Sequence, residues 1–265
     1  MPDIFLRFFA ALKFMSLGQV ILWSVVENLI IFVVVLMMGE YLVRRYRQHR
    51  VTEAPQRVTP IEWLLAGSCV TLNALVTVVG ILLWRQGLIR VRFEVNGWQV
   101  VLDSLILFFA MDLAMYVFHR FAHLPWLYPL IHETHHRFEN PRPLTLLVLN
   151  PFETLGFGVL WLLVLMLYPA AWLSIILFLT LNIVFGLVGH LGVEPMPNRW
   201  VSLNVSRYIS TSTFHAEHHV DKEHNYGFYT LIWDYLFRTL SPDYVQDFEL
   251  AQDGTPIRVR SFREK

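Results

Sequence analysis

The sequence predicts an all-α integral membrane protein with about four to five membrane helices or hairpin arms. Three observations carry that reading. The chain of 265 residues is 55% hydrophobic and only 16% charged, and its mean hydropathy of +0.46 is high for a soluble domain. Apolar runs at 17–43, 61–84 and 100–118 are each close to the 20 or so residues that cross a bilayer. A further apolar stretch, 152–189, is broken only at Tyr168-Pro169, which favours a tight helical hairpin.

The elements follow in order. Residues 3–16, apolar but carrying Arg7 and Lys13, read as an interfacial helix or as the start of the first span. The run 17–43 is too long for a signal-peptide core, and no small-residue cleavage site follows it, so it is expected to be retained. Glu27 and Asn28 interrupt it, most simply to hydrogen-bond a neighbouring helix. The basic run Arg44-Arg45-Tyr46-Arg47-Gln48-His49-Arg50 then marks the cytoplasmic side, with His49 read as solvated. The second span, 61–84, leads to a loop, 85–99, with Arg85, Arg90, Arg92 and a turn expected at Asn96-Gly97. The third span, 100–118, returns to the side of the basic run. The first hairpin arm, 152–167, is short for a full crossing, but the second, 171–189, brings His190 back to that same side. From Leu191 the chain is mixed and polar. It reads as one integrated domain, in which 1–99 supply N-terminal membrane helices, 100–240 a catalytic region and 241–265 a tail.

Balanced charge, 21 basic against 21 acidic residues, gives no field for nucleic acid. The single cysteine, Cys69, excludes an intramolecular disulfide and a cysteine-rich zinc site. Histidine is the informative residue. Of eleven, ten lie between 119 and 224: His119, His123, His132, His135, His136, His190, His215, His218, His219 and His224. Steps of three and four residues put Asp112, Tyr116, His119 and His123 on one helix stripe, and His132, His135 and His136 on another. Crowded imidazoles repel when protonated. Neutral, they offer nitrogen lone pairs that a metal cation can satisfy. All ten fall on one predicted side of the membrane, so a histidine-rich metal-binding cap on the cytoplasmic face is expected. Zinc takes about four ligands, so ten imidazoles fit two ions better than one. Imidazole suits zinc, copper, iron and nickel alike, and zinc can stand where iron works.

The histidine pattern resembles the membrane-bound fatty acid hydroxylase and sterol desaturase superfamily. The resemblance rests on Asp112-x3-Tyr116-x2-His119-Arg120-x2-His123, His132-x2-His135-His136, His190-Leu191-Gly192, His215-x2-His218-His219, Asn225-Tyr226-Gly227 and Trp233-Asp234. It departs at Leu236-Phe237-Arg238-Thr239, where arginine stands in place of the usual glycine. The resemblance implies two iron ions bound by these histidines. It also implies use of O2 and two electrons to hydroxylate, oxidise or desaturate an unactivated C–H bond in a lipid. His224 lies outside the core motifs and is expected as a tenth ligand. Asp112 is expected to accept a ring N–H from a ligand, Asp234 to do the same or to cap a helix near the tail, and Tyr116 to pack. The substrate would enter from the bilayer, past Leu, Phe and Trp residues between 144 and 185. The sequence shows no cytochrome b5 or ferredoxin-like cysteine pattern, so a separate cytochrome b5- or ferredoxin-like donor is expected, with the membrane a bacterial inner membrane or an endoplasmic reticulum. A desaturase is the alternative within the superfamily. A histidine-rich metal transporter is the alternative outside enzymology, but it would place ionisable residues deep in several spans.

Overall fold

The computed structural model describes residues 2–94 and 96–257. Residues 258–265 of the predicted tail lie outside the described residues. Among the described residues, four helices are long and apolar enough to cross a membrane: α2 (Leu17–Arg45), α3 (Pro60–Arg85), α4 (Gly97–Ala122) and α8 (Trp172–Gly189). The fifth apolar helix, α7 (Pro151–Leu167), is the short hairpin arm read from the sequence. The chain is a multi-helix membrane protein, all-α apart from two dipeptide strands, β1 (Val91–Arg92) and β2 (Ala170–Ala171). α1 (Pro2–Phe14) precedes the spans and turns into α2 through Ser16, whose hydroxyl caps that helix at Gln19 N.

Helix starts and ends sort the chain into two faces. At the face away from the histidines, Phe9 of α1 meets Trp84, Phe93 and Trp172 edge-on, an aromatic belt of the kind found at membrane interfaces. Arg85 donates to the Leu12 carbonyl there. β1 and β2 pair in parallel across this end. Buried Asp103 binds Arg92, the Tyr168 hydroxyl and the Ala171 amide at 2.5–2.7 Å, so the loop and the hairpin tip are tied to α4. Two of the three cations of the 85–99 loop, Arg85 and Arg92, are thus held by protein groups. Asn96 forms an N-cap of α4, accepting from Gln99 N at 2.9 Å, and not merely a turn.

Within the bundle α3 packs between α2 and α7, and α4 against α7 and α8. A Cβ at Gly158 would lie 2.4 Å from Val76, so glycine is what allows α7 to approach α3. Asn28 reaches Thr77 on α3 at 3.4 Å, the helix-to-helix bond expected of it, whereas Glu27 is exposed on the outer face.

At the other face sit the short helices α5 (Tyr128–Ile131) and α6 (Glu133–His136), a 3-10 turn at Pro143–Leu147, α9 (Ser212–Val220), α10 (Ile232–Phe237) and α11 (Tyr244–Gln252). Buried Glu62 at the start of α3 binds Arg142, which pins the 137–143 loop to the bundle. His49 is not simply solvated: its Nδ1 lies 2.7 Å from the Gln252 carbonyl, and Arg50 bridges to Val193. The basic run after α2 therefore belongs to the histidine cap.

Candidate metal centre

Each element delivers its histidines by simple helical arithmetic. His119 is in the last turn of α4 and His123 is its C-cap. His132, the C-cap of α5, and His135 and His136 of α6 follow a tight turn through Pro125. His190 caps α8. His215, His218 and His219 lie on α9, which Thr211 opens by accepting from Phe214 N.

Nine histidines gather into two groups whose nitrogen atoms lie within 4.8 Å of one another: His119, His123, His132, His136 and His218 in one, His135, His190, His215 and His219 in the other. All are buried except half-buried His123. The groups abut, with the His136 and His219 rings 4.8 Å apart. The two His-x-x-His-His motifs are shared crosswise. His132 and His136, one helical turn apart, enter the first group while His135 enters the second; His215 and His219 enter the second while His218 enters the first.

The outward nitrogens fix the tautomers. Nδ1 of His119 faces the Tyr226 carbonyl at 2.9 Å, that of His190 the Gly186 carbonyl at 2.7 Å, and that of His218 the His224 carbonyl at 2.6 Å. A carbonyl only accepts, so each Nδ1 carries the proton and each Nε2 turns a lone pair inward. Yet the Nε2 atoms crowd together: His119 to His132 at 2.8 Å, His136 to His218 at 3.0 Å, His218 to His123 at 3.1 Å, His215 to His190 and to His219 at 3.2 Å. The Nε2 lone pairs of His119, His190 and His218 thus point at neighbouring ring nitrogens, an arrangement that cations among the rings would satisfy. A cation about 2.0–2.1 Å from each nitrogen holds neighbouring ligands roughly 3.0–3.4 Å apart. The donor set therefore fits two cations.

Electrostatics keep the ligands neutral. Burial lowers His190 to about 4 and, with the neighbouring His119, His123 to about 2. Burial also holds His132, His135, His136, His215, His218 and His219 well below the ordinary histidine range.

Three expected residues act elsewhere. His224 stands outside both groups, because its chain position follows α9 into a turn that carries the ring outward: Nδ1 pairs with Asp221 at 2.8 Å, and only its carbonyl serves the site. Asp112 takes no ring N–H. Tyr229 N, Thr230 N, Thr230 Oγ1 and Trp233 Nε1 all donate to it, because it lies two turns below His119 where that segment packs on α4. Asp234 likewise accepts from Tyr226 N, Gly227 N and Thr239 Oγ1 at 2.7–2.9 Å. It thereby aims the Tyr226 carbonyl at His119. Gly227 is required, since a Cβ there would lie 2.5 Å from the Thr230 carbonyl. Tyr116 packs on Phe237 but also pairs its hydroxyl with Thr239.

The carboxylate that does meet a ligand is Glu153, in the first turn of α7. Its Oε1 is 2.6 Å from His132 Nδ1, and both residues are buried. The only signal in the sequence is an acid in the opening turn of a strongly apolar helix behind an Asn150 cap.

Helices of membrane-spanning length thus carry nine clustered imidazoles that could hold metal ions. The model of the fatty acid hydroxylase family matches residues 104–239, just over half of the chain. The chain belongs to that family, within the fatty acid hydroxylase and sterol desaturase superfamily, and is an oxidoreductase. It is 27% identical over 208 residues to a cholesterol 25-hydroxylase-like protein of Danio rerio, covering 75% of this chain and 79% of the relative. It is 27% identical over 146 residues to the Delta(7)-sterol 5(6)-desaturase of Eremothecium gossypii, covering 55% of this chain and 39% of that one. Methylsterol monooxygenase 2-2 of Arabidopsis thaliana is 27% identical over 154 residues, 57% of each chain. The chain thus spans most of the first relative but less than two thirds of the other two. No solved structure is a significant match.

Proposed function

We propose that this protein is an O2-dependent hydroxylase of a membrane lipid, acyl chain or sterol-like molecule, built around two iron ions. The observation that carries the reading is the pair of imidazole groups, five and four strong, with Nε2 lone pairs converging at 2.8–3.3 Å. His119, His123, His132, His136 and His218 would hold one ion, and His135, His190, His215 and His219 the other. Bound iron supplies the redox chemistry by which O2 is used to oxidise a C–H bond.

The chain's own residues orient and dry the site. The carbonyls of Tyr226, Gly186 and His224 and the Glu153 carboxylate lock four rings. Phe228 lies 5.0 Å from the His119 ring, Phe157 5.5 Å from Phe228 and Phe118 5.1 Å from Phe157. This apolar row runs from the histidines towards the bundle and suits a lipid chain arriving from the bilayer. The basic run 44–50 supports a cytoplasmic site, where a separate cytochrome b5- or ferredoxin-like protein would deliver electrons. Desaturation is the second reading, favoured by the desaturase among the relatives.

Lipid mass spectrometry of cells with and without the gene separates the two. Gain of one oxygen supports hydroxylation, and loss of two hydrogens supports desaturation. No change in any lipid would overturn both. Metal analysis after anaerobic reconstitution with iron should find two ions per chain; one or none contradicts the di-iron reading.

A further inference from the structure

The segment that positions His119 also descends beside α4. Tyr226 meets His119, while Tyr229, Thr230 and Trp233 meet Asp112. Those two α4 residues are seven positions apart, which is about 10 Å along a helix axis. The Tyr229 hydroxyl goes deeper still, to Asn182 in the middle of α8 and to Met115 Sδ. Irregular backbone at this depth is tolerated only where protein satisfies it. Asp112 and Asp234 do so on the inner side, through the amides of Tyr226, Gly227, Tyr229 and Thr230.

The outer side is apolar. Ile232, Tyr235, Leu236 and Phe237 of α10 are exposed, Leu236 to 64%. The preceding loop is joined to this segment by the Ile209–Thr230 bridge and the Tyr208–Tyr235 ring contact at 5.3 Å, and it exposes Leu203 and Val205, the latter to 76%. Such a patch on a soluble cap would be costly. Here α10 packs on α4 through Phe237 stacked on Tyr116, and the same membrane-length helix exposes Phe109, Leu113, Val117 and Phe121. Cations rim it, Arg207 over the Tyr208 ring and Arg120 over the Phe237 ring, the amphipathic arrangement that suits a headgroup layer.

We propose that α10 and the 203–208 loop form a wedge seated in the histidine-side leaflet of the bilayer, with Leu236 and Val205 in contact with phospholipid acyl chains. The cap is then an inserted, monotopic part of the protein, and its exposed apolar face is covered by lipid. The inference holds whichever metal or reaction the site serves.

The test uses the full-length protein with Cys69→Ala, reconstituted in phosphatidylcholine–phosphatidylglycerol vesicles. A nitroxide label is placed singly through Leu236→Cys and Val205→Cys. Val117→Cys is the lipid-facing control and Glu223→Cys the aqueous one, Glu223 being exposed in the polar turn after α9. Collision rates with O2 and with a water-soluble nickel chelate are then compared. The O2-to-nickel ratio at 236 and 205 should match that at 117 and exceed that at 223 several-fold. An aqueous ratio at either position overturns the proposal. So does shielding from both reagents, which would mean that a protein partner covers the face. If Leu236→Cys does not fold, Tyr235→Cys on the same face reports in its place.

Discussion

The Nε2 atoms of His119 and His132 lie 2.8 Å apart although the Nδ1 of each is engaged outward, one by a carbonyl and the other by Glu153. The carbonyl on His119 Nδ1 leaves its Nε2 with a lone pair aimed at His132, the arrangement that a cation shared by the two rings would satisfy. Glu153 fixes one side of that arrangement. Glu153→Ala should weaken metal binding roughly 10–100-fold, as removal of a carboxylate behind a histidine ligand does. Glu153→Gln keeps an acceptor oxygen and should lose less. Competition against a chelator measures both, and wild-type affinity in the alanine variant would refute the role.

His135→Ala and His218→Ala remove a ligand from different groups. Each should abolish turnover while the protein still inserts in membranes. Metal content should fall from two ions towards one in each. Substantial turnover in either variant would contradict the ligand assignment.

Acid should weaken the metal-free protein. In an unfolded chain histidine takes up a proton near pH 6.5, whereas folded His190 resists protonation down to about 4. The unfolded state therefore binds more protons in that window, and stability falls as pH drops through it. His190 alone accounts for a loss of up to about 3 kcal/mol, the free-energy equivalent of its fall from the ordinary value to about 4. Melting of the metal-free protein should drop between pH 6.5 and 4, and metal should protect against it. A flat profile would show that the rings are solvated.

Arg238 caps α10 with φ 58° and ψ 40°, the left-handed conformation for which glycine is best suited. The arginine at this motif position leaves the turn geometry intact and adds strain. Arg238→Gly should stabilise the protein by about 1 kcal/mol, seen as a higher melting temperature in detergent. An unchanged or lower value would mean that the arginine's own contacts offset the strain.

An impermeant thiol reagent tests the orientation. In the Cys69-free protein, cysteines at Arg47 and Lys222 should be labelled only from the cytoplasmic side. Labelling from outside would invert the topology.

The spans, the hairpin and the histidine-bearing face were legible because each depends on local periodicity and length. The partners of Asp112 and Asp234 were not. Asp112 sits on the α4 stripe and Asp234 in the Trp233-Asp234 motif, but both bind amides of the 226–230 segment, a contact set by how that segment packs on α4. Glu153 was hidden for the same reason, meeting His132 only when α7 folds back over α5. His224 counts like any other histidine in a sequence, and only the turn after α9 shows its ring leaving the site.

The crosswise sharing of the two His-x-x-His-His motifs has a consequence for how the centre comes into being. Each motif gives two ligands to one group and one to the other. An ion held by either group could not acquire its full set until α6 and α9, about 80 residues apart in the chain, had met. Loading is thus interlocked with tertiary assembly, and loss of either motif damages both positions at once. A one-metal ancestor or engineered descendant could not be made by deleting a motif; it would have to be made ligand by ligand.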